Sequence, residues 1–182
     1  MSLKNSEHHY GWLAVVLHWL VAAVVVGLFA LGFWMVDLSY YDEWYRKGPD
    51  LHRSIGLILF AVVVFRLLWR LINTSPRPLA SHKRWEVVSA HVAHSLLYVL
   101  MFVAMVSGYL ITTADGSSIS VFGLFDVPSL TGRVKGMEDT AGAVHYWSTW
   151  ALVGLAGLHA LGALKHHFID RDETLRRMSG RA

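Results

Sequence analysis

The sequence predicts an all-α membrane protein, a bundle of four transmembrane helices with both termini in the cytoplasm, on three observations. Hydrophobic residues make up 54% of the 182-residue chain and its mean hydropathy is positive at +0.42, as in membrane proteins rather than soluble globular domains. Charged residues fall in clumps, leaving three runs without Lys, Arg, Asp or Glu: Gly11 to Val36, Val87 to Ala114 and Ala141 to Leu164. Each exceeds the ~20 apolar residues that an α-helix needs to cross the hydrocarbon core. The fourth segment, His52 to Ile72, carries Arg53 at its start and Arg66 and Arg70 near its end, which suits a spanning helix whose long basic side chains reach the interfaces. No linker sets off a second domain, so residues 1–182 read as one domain with helices at about 11–36, 52–72, 87–113 and 141–165.

Residues 1–10 form a polar lead. The first helix has Trp12, Trp19 and Trp34 toward its ends, where aromatic rings anchor at the membrane interfaces. Its apolar run is too long for the core of a cleavable signal and lacks a small-x-small site, so it is expected to remain in place. The connection from Asp37 to Leu51 is rich in Tyr and Trp, and its Gly48-Pro49 predicts a turn before the second helix. Pro76 and Pro78 stop that helix ahead of a basic linker. The third helix starts near Val87. Asp115 to Thr140 is the longest loop; its apolar middle, Ile119 to Pro128, is too short to span and predicts a lid dipping into the interface. After Leu164 a charged tail predicts a short amphipathic helix over Asp170 to Met178.

Orientation follows from Lys and Arg over the short flanks. With the N-terminus cytoplasmic, the inner side holds Lys4, Arg66, Arg70, Arg77, Lys83, Arg84, Lys165, Arg171, Arg176, Arg177 and Arg181, eleven in all. The outer side holds five: Arg46, Lys47, Arg53, Arg133 and Lys135. Eight of the thirteen acidic residues lie outside, which leaves the inner flanks at +6 and the outer loops at −3. The basic pI of about 9.3 therefore reflects flanks facing anionic lipid, and no nucleic acid is implied.

The histidines carry the chemistry. His145 and His159 lie fourteen residues apart in one apolar run; at 100° per residue they fall about 40° short of four full turns and roughly 21 Å apart along one helix face. His52 matches the depth of His145 near the outer ends of their helices, and His18 matches the depth of His159 near the inner ends. Two depth-matched imidazole pairs point to two haem groups, each held between axial ligands on its opposite faces. The metal ligands on this reading are His18, His52, His145 and His159. With no cysteine in the chain, disulfides, cysteine-ligated iron–sulfur clusters and covalent haem attachment are excluded. His91 and His94 share a face of the third helix. His94 sits near the depth of His18 and could replace it as a ligand; a supporting or quinone-facing role for both is the other reading. Arg53, Arg66 and Arg70 lie near the two layers, where guanidinium groups suit bidentate pairing with haem propionates. His8, His9, His82, His166 and His167 lie in polar flanks and call for no special role.

Read together, Leu17-His18-Trp19-Leu20, Leu51-His52 with Gly56, Val64-Phe65-Arg66-Leu67-Leu68-Trp69-Arg70, Ala90-His91-Val92-Ala93-His94 with Tyr98, Val144-His145, Leu158-His159-Ala160 and Leu164-Lys165-His166-His167-Phe168 form an ordered set that spans nearly the whole chain. This set resembles the bacterial cytochrome b561 family. The resemblance implies a multi-pass protein of the bacterial inner membrane with two non-covalent haems b, and axial histidines similar in placement to His18, His52, His145 and His159. It further implies a membrane oxidoreductase that moves single electrons between a periplasmic donor and the ubiquinone pool. One branch of the family resembles a superoxide oxidase. The stretch Gly108 to Gly116 with Val121 to Asp126 is similar to a sister branch associated with a small periplasmic lipocalin-like protein, which would be the donor. Related haem-containing membrane anchors serve periplasmic dehydrogenases, and a haem-free bundle is the remaining class. A Soret band in the purified protein separates that class from the others.

Overall fold

The computed structural model describes residues 2–180; Arg181, counted above among the cytoplasmic cations, lies outside them. The four apolar segments form α1 (Trp12–Met35), α2 (Trp44–Ile72), α3 (Arg84–Thr112) and α4 (Met137–Lys165), each long and apolar enough to cross a membrane. Their ends follow local chemistry. At the start of α3 the Glu86 carboxylate accepts the Lys83 backbone N–H at 2.9 Å, satisfying a donor that the helix itself leaves free. Glu138 and Asp139 in the first turn of α4 complement the positive end of its dipole. Large apolar side chains such as Val26, Phe33, Leu68, Leu158 and Leu161 are more than half exposed, the surface expected of helices whose solvent is lipid.

Helix α2 begins at Trp44 rather than at His52, and Gly48-Pro49 lies inside it, contrary to the turn predicted there. The reason is packing: Gly48 is buried, and a Cβ at that position would stand 3.4 Å from Met35 Cβ at the end of α1. Pro49 is the sixth residue of α2 and has no N–H to offer the Tyr45 carbonyl, so the helix runs through it at the loss of one hydrogen bond.

The segment expected to be a lid is an antiparallel hairpin, β1 (Ile119–Val121) and β2 (Phe125–Val127), in the register Val121↔Phe125. Its turn places Phe122 and Gly123 in succession at positive φ, 52° and 69°, the backbone signature of a tight hairpin turn. Ile119 and Val121 are buried while Leu124 is 81% exposed, so one edge anchors the hairpin and the tip is open. The C-terminal tail also differs from expectation. A single π turn (His166–Asp170) follows α4, Arg171 adopts φ 54°, and the short helix α5 covers only Thr174–Met178. The left-handed Arg171 reverses the chain before a helix can start at Asp170.

By contacts the chain divides into two compact units. The terminal unit comprises residues 2–22, 62–98 and 154–180, with Leu17, Val21 and Val63 in its core. Its ends are tied down: the Asn5 side-chain amide donates to Thr74 O at 2.8 Å, and the Trp19 indole donates to Met178 O at 2.7 Å. The loop unit comprises residues 23–61 and 99–153, with Leu59, Met101, Ala104 and Leu152 buried. Within it the Ser54 hydroxyl accepts the Phe122 N–H at 3.1 Å, and the Tyr109 hydroxyl donates to Pro128 O at 2.7 Å while accepting the Leu130 N–H at 2.8 Å.

Candidate functional site

Each unit brings together one of the two histidine pairs matched by depth. In the loop unit, His52 from α2 and His145 from α4 have ring centres 6.2 Å apart with planes at 76°. In the terminal unit, His18 from α1 and His159 from α4 are also 6.2 Å apart, at 80°. Were an iron held between two imidazole nitrogens at about 2.0–2.1 Å from each, with each nitrogen about 1.1 Å from its ring centre, the two centres would stand roughly 6.3 Å apart. Both pairs stand close to that separation. The residues present therefore fit haem.

In the loop unit His145 is held firmly, its Nδ1–H donating to Ala104 O at 2.8 Å with the Ser107 hydroxyl 3.5 Å away. That bond fixes the tautomer and leaves Nε2 as the free ligand atom. His52 Nδ1 is buried and has no hydrogen-bond partner among the described residues. Two glycines make room for these rings: a Cβ at Gly108 would stand 3.1 Å from His145 Cε1, and one at Gly32 the same distance from His52 Cε1. Gly32 could not be singled out from the sequence, because nothing in an apolar run distinguishes a glycine that faces a ring from one that faces lipid. Arg53 is turned away toward Asp50 and the Pro49 carbonyl. A cleft of about 550 Å³ is lined by Lys47, Asp50, Arg53 and Ser54 from α2 and by Ser120 and Phe122 of the hairpin.

In the terminal unit Arg66 Nη2 lies 2.9 Å from His18 Nδ1, and the guanidinium carbons of Arg66 and Arg70 stand 5.6 and 5.7 Å from the centre of the Tyr98 ring. The Tyr98 hydroxyl and Trp69 Nε1 are buried with no hydrogen-bond partner among the described residues. His94 lies close to His159, with ring centres 4.9 Å apart, too near for an iron between coaxial rings. His91 is exposed and its Nδ1–H donates to Val87 O of its own helix at 2.7 Å.

The structure also gathers residues that lie far apart in the sequence and in its polar flanks. His82, from the stretch before α3, and His166, after α4, aim Nε2 and Nδ1 at one oxygen of Asp172, at 3.1 and 3.0 Å. Burial acts to raise the Asp172 carboxyl, but hydrogen bonds from Thr174 and His82 and the nearby His166 ring outweigh it and hold the group below the usual carboxylate range. Ninety residues separate His82 from Asp172, so only the folded chain brings them together.

The family model for prokaryotic cytochrome b561 matches residues 9–181. Cytochrome b561 homolog 2 of Escherichia coli is 50% identical over the whole of this chain and 97% of its own length. A probable superoxide oxidase of Yersinia pestis is 29% identical over 93% of this chain and 94% of its own, and cytochrome b561 homolog 1 of Escherichia coli is 26% identical over 92% and 94%. Paired imidazoles on long apolar helices, together with matches that run the length of the sequence, lead to one conclusion: the chain belongs to the prokaryotic cytochrome b561 family, multi-pass inner-membrane electron-transfer proteins that bind haem b.

Proposed function

We propose that the chain holds two haems b, one between His52 and His145 and one between His18 and His159, and passes single electrons between a periplasmic donor and the ubiquinone pool. The observation that carries this reading is the 6.2 Å separation found in both pairs. Haem b, when bound, supplies reversible one-electron redox chemistry at an iron whose potential its ligands and burial set. The chain's own residues do the rest. His145, tethered to Ala104 O, presents Nε2 without reorganisation. His18 needs one rearrangement. Arginine only donates hydrogen bonds, so the contact from Arg66 to His18 Nδ1 places the ring proton on Nε2, and ligation through Nε2 requires that contact to break. Arg66, Arg70, the Tyr98 hydroxyl and the Trp69 indole then form a set of donors suited to the carboxylates of a haem. The 4.9 Å separation of His94 from His159 favours His18 as the second ligand and leaves His94 to face the quinone.

Superoxide as the donor is the second reading, supported by the name of the Yersinia relative and by Lys47 and Arg53 in the cleft. Both cations are matched by neighbouring carboxylates, Lys47 by Glu43 and Arg53 by Asp50. A protein donor docking on the exposed aromatic surface of Tyr40, Tyr41 and Trp44 is better served. Anaerobic mixing of the reduced, haem-loaded protein with ubiquinone-1 tests the acceptor. Saturable re-oxidation is expected, with a raised KM in His94→Ala. Reduced bands that persist in excess quinone would contradict it.

A further inference from the structure

The cluster of His82, His166 and Asp172 takes no part in the redox reading, and its geometry is that of a ligand set. We propose that it is a divalent transition-metal site of the kind zinc fills, one that clips the stretch before α3 to the tail after α4. A tetrahedral ion with bonds of 2.0–2.1 Å sets its ligand atoms about 3.3 Å apart. The two imidazole nitrogens stand 3.1 and 3.0 Å from Asp172 Oδ2, and the three ligand atoms all lie within 4.8 Å of one another. The two imidazole–carboxylate distances need open by only a few tenths of an ångström to match that spacing.

The surroundings hold the set in place. The Thr174 N–H donates to Asp172 Oδ1 at 2.8 Å, leaving Oδ2 to face the rings, and the Asp172 N–H donates to His166 O at 3.1 Å. Asp170 Oδ2, 2.8 Å from His166 Nδ1, is placed to become a fourth ligand. Ligands that are themselves hydrogen-bonded in this way bind metal more tightly.

Charge balance points the same way. The side chains of Asp172, Glu86 and Asp170 are 9%, 10% and 32% exposed, and Lys165 is the cation that pairs with both Glu86 and Asp170. With neutral imidazoles this leaves, among the described residues, two uncompensated negative charges in a half-buried cluster, an arrangement that costs free energy unless matched. One divalent ion removes the deficit. The competing solution is a proton on each histidine. Arg171 and Arg176 line the adjoining cleft but are exposed to solvent, where water screens them. Two imidazoles and a carboxylate suit zinc, which binds such sets more tightly than manganese or ferrous iron.

Haem-loaded full-length protein in detergent, stripped with EDTA and titrated with zinc chloride, tests the site. Binding of one zinc per chain is expected with a dissociation constant near or below about 1 µM, counted against haem after gel filtration. His82→Ala and Asp172→Asn should each weaken zinc about 10–100-fold with the Soret spectrum unchanged, while His167→Ala should bind as the parent does. If Asp172→Asn loses haem through misfolding, His82→Gln carries the test. Absence of stoichiometric zinc in the parent protein, the result expected if two protons balance the cluster, would overturn the proposal. Parent-like binding by His82→Ala, His82→Gln or Asp172→Asn would do the same.

Discussion

Two glycines show how little space a ring site leaves at the scale of single residues. A methyl group on Gly108 would press on His145, whose ring cannot retreat because its Nδ1–H is bonded to Ala104 O. A methyl group on Gly32 would press equally on His52, whose Nδ1 has no partner among the described residues, so that ring is freer to turn aside. Gly108→Ala should therefore weaken haem retention in the loop unit by about 10–100-fold, the range for disturbing a ligand's support, and Gly32→Ala by clearly less. Haem remaining after gel filtration at limiting concentration measures the difference; equal losses would mean that the tether does not matter. Apolar context hid Gly32 from sequence reasoning, whereas depth counting from the helix ends does anticipate that His18 faces His159 and His52 faces His145. Depth cannot say whether His94 or His18 stands at bonding distance. That depends on how far each helix is rotated about its axis, and an apolar run with no polar face does not encode rotation.

The four long helices were legible as elements because membrane spans announce themselves by length and lack of charge. What connects them was not. Gly48-Pro49 has the composition of a turn, yet tertiary packing of Gly48 against Met35 carries the helix through it. The hairpin at residues 119–127 has strands of three residues each, too short for an alternating pattern to stand out. Its anchorage combines the buried Ile119 and Val121 with a few side-chain hydrogen bonds. Tyr109→Phe removes the hydroxyl that donates to Pro128 O and accepts the Leu130 N–H, at a cost of about 1 kcal/mol, or roughly fivefold faster exchange of the Leu130 amide if that amide exchanges by local opening. Native-state hydrogen exchange checks this, and an unchanged Leu130 rate would show the hairpin to be held by Ile119 and Val121 instead.

For the molecule as a whole, charge and haem content are the properties that separate the readings. With the orientation read from Lys and Arg, the outer loops carry −3, and the cations beside the cleft are already paired. Superoxide should then reduce the protein faster at about 200 mM salt than at about 20 mM, as screening lifts the repulsion. Stopped-flow reduction that is near the diffusion limit and slows with salt would instead return superoxide to first place as donor. Haem stoichiometry bears most directly on the central claim. Pyridine haemochrome analysis of fully loaded protein should find two haems b per chain, removable by acid–acetone because no cysteine is present to bond them. His52→Ala and His18→Ala should each reduce the count to one, and the two residual spectra should differ. One haem in the parent protein, or loss of haem in His94→Ala with none in His18→Ala, would contradict the paired-histidine assignment.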